Sequence, residues 1–88
     1  MLTPQATTRE LVWRRAADLQ LRADRLQSSA RSVGLADQID RAHLDIAEAV
    51  AWAGAPDFED RESLVTLAAA TLIVAEVRLN VVEDEAGS

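Results

Sequence analysis

The sequence contains no cysteine, no lysine and no tyrosine, and it has one histidine and three aromatic residues in 88 positions. Without cysteine, the chain has no disulfide bond, no thiolate metal ligand and no cysteine nucleophile. We find no combination of the remaining residues with the spacing of a catalytic, cofactor-binding or metal site. We therefore predict a protein without enzymatic activity, without a cofactor and without a bound metal.

Long uncharged runs are also missing. The first eleven residues lack the apolar stretch that is typical of a secretory signal. The longest segment without a charged residue, Ser63–Ala75, has 13 residues, fewer than the ~20 that a membrane-spanning helix requires. We therefore expect a cytoplasmic protein that does not contact a membrane. All its basic residues are arginine and alanine is abundant, which is typical of GC-rich bacterial or phage genomes.

The net charge of −6 is unevenly distributed along the chain. Residues 1–33 carry three more arginines than carboxylates, whereas residues 34–88 carry nine more carboxylates than arginines. We interpret this asymmetry as pairing between the first helix and acidic helices of the same chain. One alternative is an anionic ligand at Arg15, Arg22 and Arg25, with nucleic acid disfavoured by the acidic second helix. Another is a small inhibitor or antitoxin-like protein whose acidic residues 37–62 cover a basic partner.

Apolar residues recur at helical spacing in three segments, which predicts an all-α, up-down-up three-helix bundle. The helices are expected at about 8–33, 36–53 and 58–83, in one domain over 1–88 with tails at 1–6 and 84–88. Residues 75–81 also alternate as a strand does, but no partner strand is present and we favour the helix. Alanine recurs in each predicted core stripe, so the helices should pack closely. The stripes are Val12, Ala16, Leu19, Ala23, Leu26, Ala30 and Val33; Leu35, Ile39, Ala42, Ile46, Ala49 and Ala53; and Val65, Ala68, Leu72, Ala75, Leu79 and Val82.

The helix ends carry recognisable capping residues. Thr7 or Thr8 is expected to cap the first helix, and Asp37 the second. Gly34 is placed to end the first helix in the left-handed conformation. Gly54 and Pro56 end the second helix, and Asp57 is the expected cap of the third, where it also forms an i,i+4 pair with Arg61.

The tripeptide Trp52-Ala53-Gly54 resembles the Trp-x-Gly turn of the small helical-hairpin proteins exported by type VII secretion systems. That family usually has a single hairpin and a tyrosine-led export signal, whereas this chain has three predicted helices and no tyrosine. We therefore interpret the tripeptide as the end of a helix. Because Trp13 and Phe58 fall at the same end of the predicted bundle, the three aromatic residues are expected to cap the core there.

Two pairs of residues have the spacing of helical metal ligands, Asp40 with His43 and Glu59 with Glu62. A di-iron bundle needs a much larger set of inward-facing carboxylates and histidines. We therefore interpret His43 as a packed, hydrogen-bonded side chain at the edge of the core.

The third helix has more apolar surface than two companion helices can cover. Ten of the twelve residues from Leu64 to Ala75 are apolar, and they lie on more than one face. A helix that is apolar nearly all round is normally buried nearly all round. We therefore predict a protein–protein assembly module that either oligomerises, as a homodimer or larger assembly, or docks on a larger partner protein through the third helix. The predicted partner interface is Leu64, Leu67, Ile73, Val74, Val77 and Val81.

Overall fold

A computed structural model describes residues 7–86, and this part of the chain contains three α-helices and no strand. Helix α1 spans Thr8–Gln27, α2 spans Val33–Ala53 and α3 spans Glu62–Ala86. A short 3₁₀ helix, Phe58–Asp60, lies between α2 and α3. The predicted all-α three-helix bundle is confirmed, and residues 75–81 belong to a helix as we favoured.

Contacts between the helices define their directions. At the start of α1, Arg9 bonds to the carbonyl of Ala53 at the end of α2, so these two helices are antiparallel. Arg22 near the end of α1 bonds to Glu83 near the end of α3, so α1 and α3 run the same way. Helix α2 packs against both of the others, and α3 also contacts α1. The bundle is therefore up-down-up.

The core consists of the predicted stripes with few exceptions. All six residues predicted for α2 are buried, as are five of the six predicted for α3, with Val65 partly buried. In the stripe predicted for the first helix, the first four members are buried, and Leu26 and Ala30 are partly buried against the core. Seven of the buried residues are alanine, whose small side chains are compatible with close helix packing. The buried alanines are Ala16, Ala23, Ala42, Ala49, Ala53, Ala68 and Ala75.

The first helix ends at Gln27, before the predicted residue 33, and α2 begins at Val33, before the predicted residue 36. The Ser28 hydroxyl donates to the carbonyl of Arg25, and the Ser32 hydroxyl accepts from the backbone N–H of Leu35, 3.2 Å away. These serines form hydrogen bonds that compete with a continuous helix, and Ser32 takes the capping role predicted for Asp37. The prediction for Gly34 is wrong, because it lies in the first turn of α2 without a positive φ.

The start of α3 also differs from the prediction. Asp57 precedes the 3₁₀ helix and its side chain makes no capping hydrogen bond, although its ion pair with Arg61 is present at 3.6 Å. The chain is extended at Arg61, and α3 begins at Glu62. This separate turn allows Phe58 to enter the core, where it is fully buried. At its other end α3 continues to Ala86, beyond the predicted 83.

Two helix ends agree with the sequence. The Thr7 hydroxyl accepts from the backbone N–H of Glu10 at 3.1 Å and caps α1. Helix α2 ends at Ala53, and the N–H of Gly54 bonds back to Val50 at 3.0 Å. Gly54 therefore ends α2, although in a right-handed conformation.

Candidate functional site

The side of α3 that faces away from α1 and α2 is an exposed apolar surface. Its large side chains all lie on the outside of the bundle, with Ile73 62% and Val77 54% exposed. Leu64, the sixth residue of the predicted interface, is partly buried and packs against the core instead. We call the remaining five residues the outer face of α3: Leu67, Ile73, Val74, Val77 and Val81.

Shallow grooves extend this surface on both sides. Between α1 and α3, Leu11 and Ala69 join Ile73 in a groove of about 310 Å³. Between α2 and α3, Gln38 and Arg78 join the outer face in a second groove of about 420 Å³. The apolar surface is therefore continuous across α3 and reaches the neighbouring helices.

Ion pairs lie on both sides of the outer face, at residues 76 and 78 of α3. On the α1 side, Arg15 pairs with Glu76. On the α2 side, the guanidinium of Arg78 donates to Asp45 and to Gln38, each at 3.0 Å. An apolar centre with a polar rim is the usual arrangement of a protein interface.

The arginines predicted to bind an anion are largely engaged within the chain. Arg15 pairs with Glu76, and Arg22 donates to Glu83 at 3.0 Å and to Asn80 at 2.6 Å. Arg25 is exposed and has no ion pair with another described residue. The structure therefore places two of the three arginines in the pairing between helices that we expected, rather than in a free basic patch.

His43 has the hydrogen bond that we expected. Its Nδ1 lies 3.2 Å from the Gln20 side-chain oxygen, and its Nε2 lies 3.8 Å from Asp24. Within residues 7–86, no group of three or more histidine and acidic side chains has the geometry to hold a metal ion. His43 therefore links α1 and α2 at the edge of the core.

A third apolar groove, about 500 Å³ in volume, lies between α1 and α2 and was not predicted from the sequence. Trp13 lines this groove and is 42% exposed, so it does not cap the core as predicted. Its ring lies 6.0 Å from the Arg9 guanidinium. Of the three aromatic residues, Phe58 is buried and Trp52 packs partly against the core. In the sequence, this groove is indicated by three apolar residues that lie outside the core stripes, Ala17, Ala47 and Val50.

Helix α3 is also long and apolar enough to cross a membrane by length and composition, with a mean hydropathy of 1.7 over its most apolar window. We expected no membrane-spanning helix because the longest uncharged run has 13 residues. The apolar window in α3 is longer than this run because it includes the charged residues Glu76 and Arg78. Only 28% of the window is buried in the bundle. The same composition occurs in core helices of soluble proteins, so it is weak support for a membrane span.

Residues 7–86 form a small all-α bundle in which α3 carries an exposed apolar face. Comparison with known proteins gives no match to a family model, to a curated protein or to a solved structure.

Proposed function

We propose that this protein is a non-enzymatic assembly module that binds a protein partner through the outer face of α3. The observation that supports the proposal is the exposure of five large aliphatic side chains along one helix of a small bundle. Apolar surface of this extent is costly in water and is usually covered by another macromolecule. The ion pairs on both sides supply the polar rim that such an interface needs.

A protein partner is favoured over a membrane by two observations. The net charge of −6 disfavours approach to anionic headgroups. In addition, a spanning α3 must leave α1 and α2, which breaks the Arg78–Asp45 pair and exposes the apolar stripes of both helices to water. We accordingly propose that the protein acts in the cytoplasm.

The two alternative functions have less support. Binding of an anion to the first helix requires arginines that already pair with Glu76 and Glu83. An inhibitor-like role for residues 37–62 uses exposed carboxylates, but Asp37 and Asp57 already pair with Arg41 and Arg61. Neither surface has the uncovered apolar area of α3.

The proposal is tested with the Leu67→Asp and Val74→Asp variants and with Leu44→Asp as the matched control. Leu44 is an exposed leucine on α2, outside the outer face of α3. We expect wild type and Leu44→Asp to elute as an assembly in size exclusion with light scattering. Each α3 variant should associate at least about 30-fold more weakly, since a buried unpaired carboxylate disrupts an apolar interface. Circular dichroism should show unchanged helix content in all three variants.

Two results would overturn this proposal. One is a stable wild-type monomer that binds no protein, and the other is an association that the α3 variants leave unchanged. Flotation with vesicles of phosphatidylcholine and phosphatidylserine provides a further check. Binding of the wild type but not of Val74→Asp to these vesicles would identify a membrane rather than a protein as the partner and would contradict the proposal.

A further inference from the structure

Helix α3 carries a second regular stripe in addition to the buried one. Its members recur at a 4-3-4-3-4 spacing, which places them on one line along the helix. None of them is charged and every one is exposed. This spacing is that of a coiled-coil seam, in which each residue packs between residues of a facing helix. We call this line the exposed seam: Ser63, Leu67, Ala70, Val74, Val77 and Val81.

The sizes of the residues in the exposed seam indicate how it can pair with itself. When two seams run antiparallel with the crossing at the level of Leu72, Ser63 lies opposite Val81 and Ala70 lies opposite Val74. Small residues then face larger ones in these layers, which fills the interface evenly. A parallel pair places Ser63 and Ala70 opposite their own copies and leaves gaps that cost packing contacts.

The charges at the ends of α3 do not select a direction. Glu83 and Glu85 lie near the end of α3, so a parallel pair brings these carboxylates from two chains to one end. In an antiparallel pair the same carboxylates lie opposite the start of the other α3, where Glu59, Asp60 and Glu62 flank Arg61. Arg61 also pairs with Asp57 of its own chain, so the antiparallel direction rests on the sizes of the seam residues.

We infer that the partner of α3 is a second copy of this chain, joined in a two-fold symmetric dimer in which the two exposed seams pack antiparallel. The inference rests on the proposed function and adds the identity and orientation of the partner. In a symmetric dimer of this kind the same surface serves both chains. The two grooves beside α3 then receive side chains from α3 of the other chain.

The absence of native cysteine allows a direct test by disulfide cross-linking. Ser63→Cys and Val81→Cys are prepared separately, oxidised alone, and also mixed in equal amounts and allowed to exchange subunits before oxidation. Residues 63 and 81 are separated along α3 by roughly 27 Å, about four times the Cα–Cα distance that a disulfide tolerates. Ser28→Cys, in the turn between α1 and α2, is the control for random collision.

We expect the mixture to form the mixed disulfide, identified by intact mass, at least about tenfold faster than either variant alone. Cross-linking of each variant with itself but not in the mixture would overturn the antiparallel arrangement. A wild-type dimer that depends on Val74, together with cysteine variants that form none of these disulfides, would also overturn it, while the proposed function would stand. A monomer that binds a different protein through α3 would overturn the inferred partner alone.

Discussion

Arg9 Nε donates a hydrogen bond of 2.7 Å to the carbonyl oxygen of Ala53, across 44 residues of sequence. The same guanidinium donates to the carbonyl of Ala55, also at 2.7 Å. These carbonyls lie at and just beyond the end of α2, where a helix has unpaired acceptors and a partial negative charge. The first turn of α1 therefore fixes the end of α2.

We predict that Arg9→Ala lowers the free energy of unfolding by about 1.5–3 kcal/mol, because hydrogen bonds to a charged group have this magnitude and these bonds are partly buried. Arg9→Lys should recover only part of the loss, since an ammonium group does not reproduce the two-pronged geometry of a guanidinium. Urea denaturation followed by circular dichroism measures both changes.

The control for this prediction is Arg14→Ala. Arg14 is exposed on α1 and has no ion pair with another described residue, so its loss should change the unfolding free energy by less than about 0.5 kcal/mol. Equal effects of the two alanine variants would show that the contact of Arg9 with α2 does not stabilise the fold.

Replacing Gly34 with alanine should stabilise the protein. Gly34 lies in the first turn of α2, and the nearest atom to an added Cβ is the Ser32 hydroxyl, 3.9 Å away. Alanine in this helical position reduces the backbone entropy of the unfolded chain, so we expect a gain of about 0.5 kcal/mol. A loss of stability on thermal denaturation would instead support the left-handed helix end that the sequence indicated.

The arginines of α1 should not confer binding to polyanions. Because Arg15 and Arg22 pair with carboxylates of α3, we expect the protein to pass through a heparin column at low salt. The matched variants are Glu76→Gln and Glu83→Gln, which remove these internal partners and should increase retention. Salt-dependent retention of the wild type, lost in Arg22→Ala, would contradict this prediction.

Salt should strengthen self-association. Each chain carries a net charge of −6, so two copies repel one another at low ionic strength, while the apolar seam itself is insensitive to screening. Between about 0.02 M and about 0.5 M sodium chloride, the dimer dissociation constant should fall several-fold. Sedimentation velocity at both salt concentrations measures this change. A dimer that weakens as salt is added would indicate ionic contacts rather than an apolar interface.

The sequence predicted the core of α2 and α3 well, because both helices follow a regular apolar stripe that has only one good way to be buried. The prediction of helix ends failed between α1 and α2, where side-chain hydrogen bonds determine where each helix ends and begins. Ser28 and Ser32 end one helix and start the next, and Val33, the last residue of the first stripe, is consequently 88% exposed. In the sequence, Gly34 is compatible both with a left-handed end of the first helix and with a place in the first turn of the second helix.

The exposure of five of the six predicted interface residues also follows from the sequence, since the surplus of apolar residues in α3 is visible in its composition. Leu64 was the exception, because its burial depends on where α3 begins after the 3₁₀ helix. The long-range bonds of Arg9 and the exposure of Trp13 were not predictable from spacing. Both depend on how α1 meets the end of α2, which periodicity within one helix does not determine.

The most direct test of a self-associating α3 is sedimentation equilibrium of the wild-type chain over a range of micromolar concentrations in moderate salt. We predict a mass that approaches twice the 9.6 kDa of one chain as concentration rises. Val74→Asp should remain at the mass of one chain under the same conditions. A wild-type mass that stays at 9.6 kDa throughout would contradict self-association through α3.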